Sequence, residues 1–375
     1  MKKAVGIVAE YNPFHNGHKY QLGEAKKISK ADICIAVISG NFVQRGEPAI
    51  FDKYVRTEMA LNEGIDLVVE MPCIFAMNNS EYFAKAGVEI LENLGCEYIA
   101  FGSEIGDLEA LRKKAEGLNC IGKEEEEKIK ALVKEGYSYP RALSIISEAS
   151  LEPNDILAVS YLKNMKTAKP IVIKRRGKGH IETATEIRNR ILYDKSIKEF
   201  VPDEIKKICK KNNENIASSE MFFELIMQKI LTSSEDELNR AFGAEEGLGS
   251  KLKKNARRYN CFEDIVNDLK SKRYTRTRIN RVIFNILLGI SKDEVVNAKN
   301  YIRVLGFSDE GANYLKEIKK NEVCKLPIIT NINKEDVSEI EHTLKKDILA
   351  TDLYNLATQK DLYINSENVK KPLKF

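Results

Sequence analysis

A chain of 375 residues, 43% hydrophobic and 31% charged, can bury a substantial core and is long enough for two domains. No apolar run approaches the roughly 20 residues that a membrane helix needs, which excludes a helical membrane protein. The formal charge of +4 names no partner, but residues 251–281 carry eleven Lys or Arg against Glu263, Asp264 and Asp268, a local +8 that leaves the remainder acidic.

In chain order, residues 3–10 read as a strand with Val5, Ile7 and Ala9 on one face at period two. The lysines before it lead into no apolar signal region or small-residue cleavage site, so a cytoplasmic location is expected. Three more β-rich runs follow at 31–39 (ADICIAVIS), 65–72 (IDLVVEMP) and 96–103 (CEYIAFGS), with helix-compatible stretches at 17–29, 53–63 and 80–94 between them. The charged stretch 123–134 reads as an inserted helix pair. After Pro153 a helix is expected, capped by Asn154 or Asp155, and then a fifth strand at 169–174 (KPIVIK). This alternation predicts an α/β, Rossmann-like domain with a parallel sheet, whose best site is the crevice at the carboxyl ends of the strands. From Ser196 onward strand signals fade and helical periodicity dominates, as at 221–231 and 279–290. The expected division is residues 1–195 as catalytic domain and 196–375 as a mainly α-helical, basic domain. The seven cysteines are scattered, with no CxxC pair, so reduced thiols are expected and neither a disulfide framework nor a metal site.

The chemistry concentrates after the first strand. Of four histidines, His15 and His18 sit three residues apart in EYNPFHNGH. A strand, a loop and a helix starting at Gly17 direct backbone N–H groups and the positive helix end toward any phosphate in the crevice, with the two imidazoles as further donors. Gly17 leaves room for close approach. Displacement at the α-phosphate of ATP fits, because fixed donors can stabilise its transition state without a protein nucleophile. A second cluster occupies the matching position after the fifth strand: Lys174, Arg175, Arg176, Gly177, Lys178, Gly179 and His180, then ETATEIR. Its cations suit the β and γ phosphates, Thr183 or Thr185 can cap the next helix, and Arg188 would lie in that helix's first turn. The loop 40–48 (GNFVQRGEP) should also reach the crevice, where Gln44 and Arg45 are candidates for contact with a carboxylate or an acceptor substrate, or for an ordinary surface loop.

GIVAEYNPFHNGH, SGNFVQRGEPAI, FGSE at 101–104, PNDIL at 153–157, IKRRG at 173–177, ATEIR at 184–188, YTRTRINR at 274–281 and YIRVLGF at 301–307 together resemble the bacterial tRNA(Met) cytidine acetate ligase family of the HxGH nucleotidyltransferase superfamily. The resemblance runs nearly end to end. It implies a nucleotidyltransferase-like ATP-binding domain, activation of acetate by ATP to acetyl-adenylate, and acetyl transfer to the N4 amine of the wobble cytidine of elongator tRNA(Met). Carried over, the ATP-binding residues are Ile7, Val8, Ala9, Glu10, Tyr11, Asn12, Pro13, Phe14, His15, Asn16, Gly17, His18, Lys19 and Tyr20, with Gly102, Asn154 and Arg175 or Arg176. The expected catalytic groups are His15, His18, Arg175 and Arg176. Gly102 would keep a side chain away from a base or ribose, and Asn154 would either cap its helix or meet adenine. Where the superfamily commonly carries a Ser-Ser/Thr pair, this chain has Ala184 before Thr185, which leaves the hydroxyl's role open. Mg2+ is expected from the chemistry of ATP, not from a ligand cluster.

The basic window interleaves Tyr259, Phe262 and Tyr274 with its cations, a mixture suited to phosphate contacts and base stacking. Arg273, Arg276, Arg278 and Arg281 are the expected tRNA contacts. The competing functions are a nucleotidyltransferase that adenylylates a small phosphorylated metabolite, which has little use for a basic helical domain, and a nucleotide-binding RNA-associated factor without catalysis.

Overall fold

The computed structural model describes all residues except 120–126, 130, 133–134, 136–141, 143–151, 176–179, 245–246 and 335–336. The inserted charged stretch at 123–134 therefore lies largely outside the described residues, as do Arg176 and Lys178.

The strands are β1 Ala4–Ala9, β2 Ile33–Ser39, β3 Phe42–Val43, β4 Glu47–Pro48, β5 Leu67–Met71, β6 Tyr98–Ser103, β7 Lys169–Lys174, β8 Ile302–Phe307, β9 Ile328–Ile329 and β10 Leu373–Lys374. The helices of the first half are α1 Asn16–Ser29, α2 Lys53–Asn62, α3 Cys73–Ala76, α4 Ser80–Asn93, α5 Leu108–Asn119, α6 Pro153–Asn164 and α7 His180–Leu192. Those of the second half are α8 Asp203–Lys211, α9 Phe223–Thr232, α10 Glu235–Arg240, α11 Leu248–Asn255, α12 Phe262–Leu269, α13 Arg276–Leu288, α14 Lys292–Asn297, α15 Asp309–Lys320 and α16 Glu341–Ala357.

The main sheet runs β10-β8-β5-β2-β1-β6-β7, with β9 paired to β8. β1, β2, β5, β6 and β7 are parallel, as their helical crossovers require. The chain first builds outward from β1 through β2 and β5, then returns to β1's other side with β6 and β7. The switch point thus falls between β1 and β6, and its crevice at the carboxyl ends is where such sheets place ligands.

β2 is buried at every position, and its residues alternate between two cores: Ile33, Ile35 and Val37 face one, Cys34, Ala36 and Ile38 the other. Burial of each such Val or Ile contributes about 1.5–3 kcal/mol. The expectation that strands fade after Ser196 misses β8, which pairs antiparallel with β5 (Leu67 opposite Phe307, Glu70 opposite Arg303) and makes the sheet mixed. Its apolar run IRVLGF is too short for periodicity to separate strand from buried helix.

The two-stranded β3–β4 hairpin plugs into the helical half. Phe42 lies 5.5 Å from Phe222 and 5.4 Å from Phe284, ring centroid to centroid. A single apolar core contains both sheet residues such as Val69 and helical residues such as Phe284.

Candidate functional site

His15 is the N-cap of α1, and its role follows from the first-turn amides, which have no partner within a helix. Its Nδ1 accepts from the N–H of Gly17 at 3.0 Å and of His18 at 3.3 Å, while its own N–H donates to Nδ1 of His18 at 3.2 Å. The two histidines thus form a reciprocal capping box, and their rings stack at 3.7 Å between centroids. With both Nδ1 atoms accepting, each neutral ring carries its proton on Nε2. Burial, with the charge of Arg175 second, holds the His15 imidazole down at about 4, so it is neutral at physiological pH. Asn16 is fixed from outside: its N–H reaches the carbonyl of Phe200 at 2.9 Å and its Nδ2 the carbonyl of Glu199 at 3.0 Å.

This geometry corrects two expectations. The amides of Asn16, Gly17 and His18 are all engaged within the protein, so the helix start offers an anion its dipole and the polarised imidazoles, not bare N–H groups. Gly17 does not hold space open for a nucleotide either. A Cβ there would lie 2.8 Å from Cε1 and 3.0 Å from Nδ1 of His15, so the glycine exists to let the ring fold back over the helix end.

The preceding strand end is tied down on several sides. Asn12 Oδ1 accepts from the N–H of Ile50 at 2.8 Å, and its carbonyl from Arg188 Nη1 at 3.2 Å. Glu10 Oε1 accepts from the N–H of Gln44 at 3.0 Å; burial raises its carboxyl against the pull of Arg45 and Arg188. Tyr11 and Phe14 are buried and pack on the His18 ring at 5.0 and 5.5 Å. Ile7 points into the core, and Lys19 leaves the crevice to pair with Glu63 at 2.9 Å.

From β6 and β7, Gly102 and Arg175 converge on the same crevice. The Arg175 stem lies over Gly102, with Cγ 3.5 Å from where a Cβ would be, so the space expected for a base or ribose is shared with an arginine. Arg175 Nε stands 3.7 Å from Glu104 Oε1, and Asn154 Nδ2 donates to that oxygen at 2.5 Å. Asn154 does not cap α6, whose N-cap is Glu152. Asp155 instead braces the turn after β6, accepting from Ser103 Oγ at 2.5 Å and from the N–H groups of Glu104 and Ile105 at 3.0 and 3.3 Å. Nor does Thr185 cap α7. The helix starts at His180, so Thr185 and Arg188 fall beyond its first turn, where Thr185 Oγ1 accepts from Arg188 Nη2 at 3.1 Å.

Three residues of this scaffold have roles that the sequence did not show, although Asp155 was a candidate cap and Glu104 lies in the FGSE segment. Glu104 and Asp155 became visible only when β6 and α6 met. Arg56, fully buried on α2, donates to the carbonyls of Glu10 at 2.7 Å, Ser39 and Phe51 at 3.0 Å, and Gly40, gathering the ends of β1 and β2.

The basic window reaches this site through the hairpin. Asn280 on α13 donates to Glu47 at 3.3 Å, and the backbone of Arg281 packs so closely on Gly46 (φ +69°) that a Cβ there would meet its nitrogen at 2.3 Å. Arg276 is held by Glu263 through two bonds of 2.6 and 2.7 Å, Arg273 and Arg278 lie over the Tyr274 ring, and burial pushes Arg281 down to about 10. The expected base-stacking rings are mostly unavailable, since Tyr259 and Phe262 are buried in the core.

A family model described as HIGH Nucleotidyl Transferase matches residues 1–369. The chain is 39% identical to the tRNA(Met) cytidine acetate ligase of Thermoanaerobacter sp. (strain X514), over 94% of this chain and 95% of that one. It is 40% identical to the protein of the same name from Caldanaerobacter subterraneus subsp. tengcongensis, over 95% of each. Among solved structures, Thermotoga maritima TmcAL bound with alpha-thio ATP superposes with a TM-score of 0.89 at 30% identity, covering 100% of both chains.

Proposed function

The chain belongs to the HIGH nucleotidyl transferase family and, within it, to the tRNA(Met) cytidine acetate ligases, and from that membership we propose that it acetylates a tRNA cytidine through an acetyl-adenylate. A carboxylate oxygen of acetate attacks the α-phosphorus of ATP and pyrophosphate leaves. The N4 amine of the wobble cytidine of elongator tRNA(Met) then attacks the acyl carbon, the C–N bond forms, the C–O bond to AMP breaks, and the amine loses a proton. Adenylylation of a small phosphorylated metabolite, which the HNGH site alone would serve, is disfavoured by these relatives.

The observation that carries the reading is the reciprocal capping box of His15 and His18 at the carboxyl end of β1. It fixes two neutral imidazoles as Nε2–H donors beside the positive end of α1, and hydrogen bonds accepted at Nδ1 polarise those donors further. They stabilise the charge that builds on the α-phosphate oxygens. Arg175, the residue that follows β7, adds positive charge on the side of the crevice bounded by Gly102, and Arg188 fixes the loop at Asn12. Mg2+ would be carried by the triphosphate and would supply charge neutralisation there; among the described residues no group of three or more His, Cys, Asp or Glu is placed to hold a metal. The solvent-facing cations of the basic segment serve the RNA, and the setting is the cytoplasm. Among the described residues no helix is long and apolar enough to cross a membrane.

The test is incubation with labelled acetate, ATP and tRNA, followed by digestion of the RNA. Label in N4-acetylcytidine is expected; label or AMP appearing only on a small metabolite would overturn the reading.

A further inference from the structure

The +8 window divides on folding into cations already engaged and cations left facing solvent. Arg276 is neutralised by Glu263, and Lys251 stands 3.4 Å from Asp268 Oδ1. Lys253 is structural: its Nζ donates to the carbonyls of Leu231 and Ser233 at 2.7 Å and of Ile230 at 3.1 Å, closing the C-terminal end of α9. Lys254, at the end of α11, and Arg257, in the 3-10 turn Ala256–Arg258 that follows, are both exposed. Neither forms an ion pair or side-chain hydrogen bond among the described residues.

These two side chains, with Lys251, Lys253, Ser250 and Glu235, line an open cavity of about 630 Å³. With Lys251 paired to Asp268 and Lys253 held by carbonyls, Lys254 and Arg257 are the cations left over there, and the one carboxylate in the lining is Glu235. The nearby Glu237 is turned back onto Ser234, whose N–H it accepts at 2.7 Å. Among the described residues that line the cavity there is also no ring on which a base could stack. The Tyr259 hydroxyl donates to Asp268 at 2.7 Å, and Phe262 packs 5.9 Å from Phe284 in the core. Unpaired cations around an open cavity without aromatic walls suit a chain of phosphates. They do not suit an enclosed small anion or a splayed base.

We propose that the face made by α11 and its 3-10 turn, with Lys254 and Arg257 as its contacts, holds the sugar–phosphate backbone of the RNA substrate without reading its bases. This rests on the RNA-acylating function above and assigns the phosphate contacts to residues other than Arg276. The face positions the tRNA by charge, and selection among tRNAs is made elsewhere on the enzyme.

The experiment measures the affinity of the full chain for elongator tRNA(Met) and for a tRNA of different anticodon, over a series of salt concentrations. It compares the wild type with Lys254→Gln/Arg257→Gln. The double variant is expected to bind both tRNAs more weakly by the same factor, with a log–log salt slope shallower by about 2, one for each phosphate contact removed. Lys254→Arg keeps the wild-type slope, and thermal melting verifies the fold of each variant. A double variant with wild-type affinity and slope, or one weakened only toward tRNA(Met), overturns the inference. A wild type that binds neither tRNA overturns the functional reading as well, so the two failures are distinguishable.

Discussion

Substitution of Gly17 by alanine separates the role of the His15 ring from that of the helix that carries it. The new Cβ would stand 2.8 Å from Cε1 and 3.0 Å from Nδ1 of His15, closer than side-chain carbons approach, so the imidazole must swing away from the first turn. The bonds from Gly17 and His18 to Nδ1 then weaken, and a lost cap costs about 0.5–2 kcal/mol. Alanine in place of glycine within a helix returns roughly 0.5–1 kcal/mol, so net stability should fall by no more than about 1.5 kcal/mol. Activity has no such compensation. A donor displaced by about 1 Å costs on the order of 10²-fold, and removal of one such donor about 10²–10³-fold. Acetate-dependent ATP–pyrophosphate exchange should therefore fall about 100-fold in kcat while the thermal midpoint barely moves. Exchange within about threefold of wild type, in a variant whose His15 ring has moved in a crystal structure, would refute the link between ring position and adenylate formation.

The pH dependence of stability offers an independent check on His15. Its folded imidazole is held at about 4 against an ordinary 6.5, so the unfolded chain takes up a proton that the folded one refuses as pH falls between those values. Stability present above pH 6.5 should decline by roughly 3 kcal/mol toward pH 4, and His15→Asn, which keeps a capping acceptor, should remove that component from urea melts. Lys53→Met should cost about 3–5 kcal/mol in chemical denaturation, because Lys53 sits buried within 2.7 Å of Glu70 and 2.6 Å of Glu367; a loss below about 1 kcal/mol would contradict it. Gly46→Ala should part the hairpin from α13, lowering acetyl transfer to tRNA at least about tenfold while pyrophosphate exchange changes less than about threefold; equal losses in both would show that the hairpin serves the adenylate step instead.

The local grammar of the first half was readable because it is set by neighbours in the chain. β7 occupies residues 169–174 as the apolar run predicts, and α1, α2 and α4 fall within a residue of their expected bounds. HNGH after β1 marks the crevice for the same reason: the capping box is made by residues three apart. By contrast, α7 began earlier than its threonines suggested, since Thr185 has a nearby partner in Arg188 that the sequence could not rank above a cap.

What the sequence determined by itself was therefore the order of the main parallel strands and helices of the first half, the paired histidines at the end of β1 and the presence of a basic segment, all carried by short-range periodicity and charge count. Tertiary structure alone decided the rest. It placed β8 against β5 across more than 200 residues, buried Arg56 among the carbonyls of two strand ends, and brought Glu104 between Asn154 and Arg175. It also sorted the cations of the basic segment into paired and available, and withdrew Tyr259 and Phe262 into the core. The physical reason is the same in each case: whether a charge is neutralised or a ring exposed depends on the groups that packing brings within a few ångströms, and those come from distant parts of the chain.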